Sequence, residues 1–218
     1  MLDNTVLIME IIGTVAFAVS GSIIAASCGL DLLGIIIVGC ITAVCGGMLR
    51  DVFLGCIPPA IFLNPALLLI AAVVSLLVFL LSYLNSEKFE FLEKKIESIN
   101  ITFDAIGLAV FSVIGIEATF QKGFGDNALL AISMGVITGV GGGITRDVLV
   151  RKIPYVLKKH IYALASIIGS IIYYYISIHI NRPAAILTAV PVIIAIRLLA
   201  AHFRWKLPRI RKNNEEQP

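Results

Sequence analysis

Two stretches of this chain decide its fold: GCITAVCGGMLRDV at residues 39–52 and GVITGVGGGITRDV at residues 135–148. They stand ninety-six residues apart and agree at Thr42/Thr138, Gly46/Gly142, Gly47/Gly143, Arg50/Arg146 and Asp51/Asp147. Each is apolar up to its arginine, rich in small residues, and ends on an adjacent pair of opposite charges.

Working outward, the correspondence widens. Upstream, GTVAFAVSG at 13–21 matches GLAVFSVIG at 107–115, now ninety-four residues apart, and an acid stands three residues before each block, Glu10 and Asp104. Downstream, Ile57-Pro58 matches Ile153-Pro154. Blocks recurring in the same order mark a duplicated unit.

Each unit holds three apolar runs. The runs read Thr5–Ser27, Leu32 to about Leu49 and Pro65–Leu84, then Phe103–Phe120, Ala128–Thr145 and Ile161–Ile180. A seventh, Ala184 to about Phe203, follows the second copy. A helix rises about 1.5 Å per residue, so about 20 residues cross roughly 30 Å of hydrocarbon. The expected fold is all-α and integral to the membrane. It has a first three-helix unit at 1–84, a linker at 85–100, a second unit at 101–180, a seventh helix at 181–203 and a basic tail at 204–218. Three is an odd number of crossings, so the second unit enters from the opposite face and the repeat is inverted.

Composition agrees. Hydrophobic residues make up 59% of the chain and charged ones 14%, against about 25% in a soluble domain that must keep its surface wet. The mean hydropathy is +0.99. The linker, NSEKFEFLEKKIESIN, places Phe89, Leu92, Ile96 and Ile99 on one helical stripe, which predicts a short amphipathic helix at the interface.

Lys and Arg set the orientation. Arg50, Lys122 and Arg182 fall on one side, and the other fourteen of the 17 basic residues fall on the other. The second group includes Lys88, Lys94 and Lys95, then Arg146 to Lys159, Arg197 and the tail. The tail is thus expected in the cytoplasm and the N-terminus outside. No basic residue precedes Arg50, so the first run is expected to stay as a helix rather than be removed as a leader. The short tail beside a membrane helix fits anionic lipid better than nucleic acid.

The chemistry is that of a solute path. Glycine costs about 1 kcal/mol of helix propensity relative to Ala, so the clusters Gly46–Gly47 and Gly141–Gly142–Gly143 either loosen a helix and expose its carbonyls or let two helices pack closely. Arg50 and Arg146 either snorkel to the two faces or hold a gate through carbonyls or an acid of the other unit. Glu10 and Asp104 are interfacial caps or partners of those arginines. Glu117, with Ile23 at its place in the first unit, is a cation attractor or a helix-end cap. Ser20, Thr42, Ser112 and Thr138 offer hydroxyls to a dehydrating cation. Pro58 and Pro154 are expected to fix turns, and Pro191 to kink the seventh helix. The four cysteines, Cys28, Cys40, Cys45 and Cys56, and the three histidines, His160, His179 and His202, have no metal-ligand spacing. No nucleotide-binding or hydrolase motif appears. No enzyme, cofactor or fixed metal site is expected.

With these residues in view, the chain resembles the prokaryotic trimeric intracellular cation channels from residue 5 to about 203. Bacterial proteins described as glycine transporters share the same repeat. The resemblance implies a homotrimer in the plasma membrane, among its lipids. Each subunit would hold its own pore, lined by kinked second and fifth helices and passing potassium and sodium. Gly46, Gly47, Arg50 and Asp51 match one family motif, and Gly141, Gly142, Gly143, Arg146 and Asp147 the other. Cys45 replaces the leading glycine of the first, which makes that bend stiffer. Animal members bind phosphoinositide through a lysine of the second helix, and this chain has none there. The rival reading is a carrier for glycine or a similar small zwitterion.

Overall fold

The computed structural model describes residues 2–84, 93–158, 161–203 and 205. Its elements in chain order are α1 (Leu2–Ser27), α2 (Leu32–Phe53), the short α3 (Ala60–Leu63), α4 (Ala66–Leu84), α5 (Glu93–Gln121), α6 (Ala128–Leu149), the short α7 (Tyr155–Lys158), α8 (Ile161–His179) and α9 (Arg182–His202). Seven of these are long and apolar enough to cross a membrane. The chain is an all-helical, multi-pass membrane protein.

Polar residues in the turns start the helices. Asp31, Asn127 and Asn181 each accept a hydrogen bond from the backbone N–H three residues on, at Gly34 (2.7 Å), Leu130 (3.0 Å) and Ala184 (2.8 Å), which satisfies donors that the first turn leaves free. Pro183 sits in the first turn of α9, where its missing N–H costs nothing. The ends repeat between the halves. Gly29 and Gly123 close α1 and α5 with φ of 72° and 79°. Gly55 closes the turn after α2 with φ 74°, and its counterpart Arg151 does so at φ 56°. The second half thus holds with a side chain a backbone that the first gives to glycine.

Two expectations change. α2 and α6 run four residues past the predicted ends, so Arg50, Asp51, Arg146 and Asp147 lie inside helices rather than in loops. The linker is not a separate interfacial helix where it is described. From Glu93 it is the opening of α5, and Ile96 and Ile99 belong to that span. Phe89 and Leu92 lie outside the described residues, as do Lys88, Lys159, His160, Arg204 and the basic tail from Lys206. α9 carries Pro191 as one continuous helical element.

The core sits where α1 crosses α5. Phe17 and Phe111 stack there, with centroids 5.3 Å apart. A Cβ on Gly107 would run into the Phe17 ring, and one on Gly13 would press on Phe111 at 3.0 Å. The apolar span of α5 is the most enclosed, 67% buried, and α4 the least, at 11%. The exposed side of α4 carries Leu69, Val73, Leu77 and Leu81. Such a face suits lipid rather than water.

Candidate functional site

The glycines of the two motifs are where α2 and α6 touch. A Cβ on Gly46 would run into the Thr138 carbonyl oxygen, and one on Gly142 into that of Thr42. Gly141 faces the Cα of Gly46 at 3.1 Å from its own would-be Cβ. Contact exchanged in this way, each half giving what the other gives back, is what a two-fold relation produces. The helices are unbroken through both clusters. Gly46, Gly141 and Gly142 therefore serve close approach of two backbones, whereas Gly47 has only the end of Arg50 beside it and Gly143 faces the Tyr162 hydroxyl; none interrupts its helix.

Thr42 and Thr138 follow from this packing. Both are fully buried. Their hydroxyls donate to carbonyls one turn back, Val38 and Met134, at 2.6 Å each. Each also lies against a glycine of the preceding helix, Gly21 for Thr42 and Gly115 for Thr138. The two hydroxyls face a helix seam, and neither lines a cavity described below. Ser112 is likewise spent, donating to Leu108 O at 2.7 Å and sharing a hydrogen bond of 2.7 Å with Ser166.

The charged pairs repeat in their first contacts and then differ. Arg50 Nε and Nη2 donate to Asp51 Oδ1 at 2.9 and 2.7 Å, and Asp51 Oδ2 accepts from the Ala60 N–H at 3.0 Å. Arg146 Nε donates to Asp147 Oδ1 at 2.9 Å, and Asp147 Oδ2 accepts from the Tyr155 N–H at 2.7 Å. In both halves the aspartate ties its arginine to the start of the next short helix. Arg146 goes further. Its Nη1 donates to Asp104 Oδ1 at 2.8 Å and to Ser20 Oγ, in the other half, at 2.7 Å. Ser20 in turn donates to Asn100 at 2.8 Å. Asp104 Oδ2 accepts from Arg197 Nη2 at 3.2 Å, and the Arg197 guanidinium lies 4.4 Å from the Tyr162 ring centroid and 5.1 Å from that of Tyr155. The Arg146 cluster is closed, with Arg146 3% and Arg197 2% exposed.

Arg50 has no such shell. Among the described residues Asp51 is its ion-pair partner. Beside it open two cavities, of about 480 and 310 Å³, both lined by Glu10, Arg50, Asp51 and Ala60. Thr14, Gly47, Asn64 and Phe111 border the larger, and Lys122 the smaller. Glu10 thus shares a cavity with Arg50 without an ion pair among the described residues, whereas Asp104 is the direct partner of Arg146. Of the two readings for these acids, the structure realises the partner in one half only.

Glu117 is neither exposed to a cavity described here nor a cap. It accepts from the Tyr173 hydroxyl and pairs with Arg182 at 3.3 Å. Arg182 also lies 5.5 Å over the Phe120 ring. Arg197, Arg182, Tyr162 and Tyr173 were not singled out from sequence. Arg197 was counted as an interfacial charge, yet an arginine within an apolar helix is itself a signal for a buried partner. The cysteines are free and half-buried, and Cys45 Sγ lies 3.2 Å from Thr145 Oγ1 across the α2–α6 seam. No cluster of three metal-ligating side chains occurs among the described residues.

The model of a family described as "Glycine transporter" matches twice, over residues 7–83 and 101–177. The UPF0126 inner membrane protein YadS of Escherichia coli is 40% identical over 202 residues, covering 92% of this chain and 93% of that protein. The UPF0126 membrane protein YvgT of Bacillus subtilis is 34% identical, covering 92% and 94%. Among solved structures, a prokaryotic TRIC channel crystallised in 0.5 M KCl matches with TM-score 0.82 and 32% identity, over 93% of this chain and 98% of that one. The Rhodobacter sphaeroides orthologue of the TRIC trimeric intracellular cation channel matches with TM-score 0.81 and 26% identity, over 92% and 99%.

Proposed function

Because the chain belongs to the Glycine transporter family and shares its fold with TRIC cation channels, we propose that it is a channel for monovalent cations, potassium and sodium. It works in the bacterial inner membrane as a homotrimer with one pore per subunit. The halves are inserted in opposite senses, with the N-terminus outside, the tail in the cytoplasm, and Arg50 facing out. Permeation involves no covalent step and no cofactor.

The observation that carries this reading is the pair of cavities on Glu10, Arg50 and Asp51. In the larger one two carboxylates against one guanidinium make a vestibule that concentrates cations, and Lys122 borders the smaller. Gly47 of α2 and Phe111 of α5 are among the residues that line the larger one. Conduction requires the α2–α6 seam to part. The backbone carbonyls of Thr42 and Thr138, now pressed on Gly142 and Gly46, then become the oxygens that replace a cation's hydration shell. In this reading Gly46, Gly141 and Gly142 are the hinge surface, Gly47 and Gly143 flank it, and Arg50–Asp51 and Arg146–Asp147 are the two ends of the path.

A second reading rests on the same cavity. Glu10 and Arg50 present opposite charges to one space of about 480 Å³, which also suits a carrier for glycine or a similar zwitterion. Recording from purified protein in planar bilayers under asymmetric KCl separates the two. Unitary steps reversing near the potassium potential are expected. Electrical silence, with saturable glycine uptake into matched proteoliposomes, would transfer the protein to the carrier class.

A further inference from the structure

The two copies of the motif sit in different electrostatic company. In the first half the larger cavity is faced by one cation, Arg50, and two acids, Asp51 and Glu10, and Lys122 joins them at the smaller one. In the second, Arg146 stands among Asp147 and Asp104, and Arg197 makes the balance two against two. Arg197 comes from α9, which has no counterpart in the first half. A buried charge cluster away from water is held by balance of its charges, and removing one partner is costly. The half without the extra arginine opens onto cavities of about 480 and 310 Å³. None of Arg146, Asp104 and Arg197 lines either of them.

The geometry shows how α9 delivers the charge. Asp104 is divided, Oδ1 to Arg146 and Oδ2 to Arg197. Arg197 is itself fixed over two tyrosine rings. α9 is tied to α5 a second time at its other end, where Arg182 meets Glu117. We propose that Arg197 is a positioning residue that keeps the Arg146 end of the path closed. It holds Asp104 in place for Arg146 and supplies the cation without which water or a permeant cation enters the cluster. Its role in gating rests on the conduction reading above. The closure itself does not.

The test therefore reads access and current separately. Ala165 is fully buried on α8, one turn from Tyr162. Ala165→Cys is placed in full-length protein whose four native cysteines are changed to serine, and the protein is reconstituted in liposomes. Labelling by a membrane-impermeant, charged thiol reagent is timed from each side. With Arg197 present, labelling is slow. Arg197→Met is expected to speed it about tenfold or more, the response of an opening equilibrium to loss of one buried partner. Arg197→Lys restores protection, and Arg182→Met, at the far end of the same helix, leaves it intact. Where the methionine variant does not fold, Arg197→Gln takes its place with the same expectation. Unchanged labelling in the Arg197 variants overturns the proposal. So does equal labelling in Arg182→Met, which would mean general loosening of α9, or in Arg197→Lys, which would remove the role of charge. Potassium flux is measured on the same liposomes. Labelling that follows Arg197 with no flux in any variant leaves closure standing and removes the channel. Flux with labelling indifferent to Arg197 does the reverse.

Discussion

Phe17 stacks on Phe111 at 5.3 Å between centroids, and the two occupy the same position in the two halves of the chain. Each ring also fills the space that a glycine of the opposite helix leaves free, Gly107 for Phe17 and Gly13 for Phe111. The contact is thus made by one residue type with its own copy. A double-mutant cycle on Phe17→Leu and Phe111→Leu should show a coupling of about 0.5–1.5 kcal/mol in thermal unfolding in detergent. Strict additivity would mean that the rings merely fill volume.

The α2–α6 seam predicts a sharp difference between adjacent glycines. Gly46→Ala and Gly142→Ala push a methyl into backbone carbonyls, which cannot rotate away, and should each destabilise by about 1–3 kcal/mol or more. Gly47 has only the end of Arg50, at 3.7 Å, near its would-be Cβ. Gly47→Ala should be neutral or gain up to about 1 kcal/mol from helix propensity. Melting temperatures of the three variants decide it.

Glu10 should matter most when salt is dilute. Glu10→Gln removes one of two acids from the vestibule and should lower potassium conductance several-fold at about 10 mM KCl. At about 1 M, where the screening length is about 3 Å, the difference should vanish. A deficit of equal size at both concentrations would point to steric damage rather than to the field.

The two motif arginines should part company in stability. Arg146→Met takes the ion-pair partner from Asp147 and leaves Asp104 with Arg197 alone in a closed cluster, and should cost about 3–5 kcal/mol. Arg50 borders a cavity, so Arg50→Met should cost clearly less and act mainly on conductance or selectivity. Urea or thermal unfolding of the two variants side by side tests the order.

The number of spans and their duplication were legible in the sequence because they depend on runs of apolar residues and on repeated small-residue blocks. The direction of side chains was not. Thr42 and Thr138 share a helix face with the glycines, but helical threonine can turn its hydroxyl to its own helix's carbonyl, and both do so here. The glycine clusters carried two readings, and only the position of the opposite helix decides between a loosened helix and a close approach. Asp104, which matches Glu10, was legible only as a cap or an arginine partner, and the acid expected from the other unit comes to Arg146 from its own. Arg197 was not legible, because a count of basic residues treats every arginine near a helix end as facing water. Arg182 and Tyr173 were hidden for a related reason. Their partner, Glu117, replaces Ile23 of the first half, so the duplication itself gave no second copy to compare.

The helix that follows the repeat has a consequence for the direction of flow. A conduit built of two equal, opposed halves would offer the same resistance from either end. α9 is fastened to α5 of one half, by Arg182 at one end and Arg197 at the other, and so makes the two mouths unlike. If the proposed path runs between Arg50 and Arg146, an ion arriving at the first mouth meets the acids of the larger cavity, and one arriving at the second meets a neutralised cluster. Such a conduit is a rectifier: equal and opposite voltages drive unequal currents, and the sense of the inequality reports which way the protein lies in the membrane.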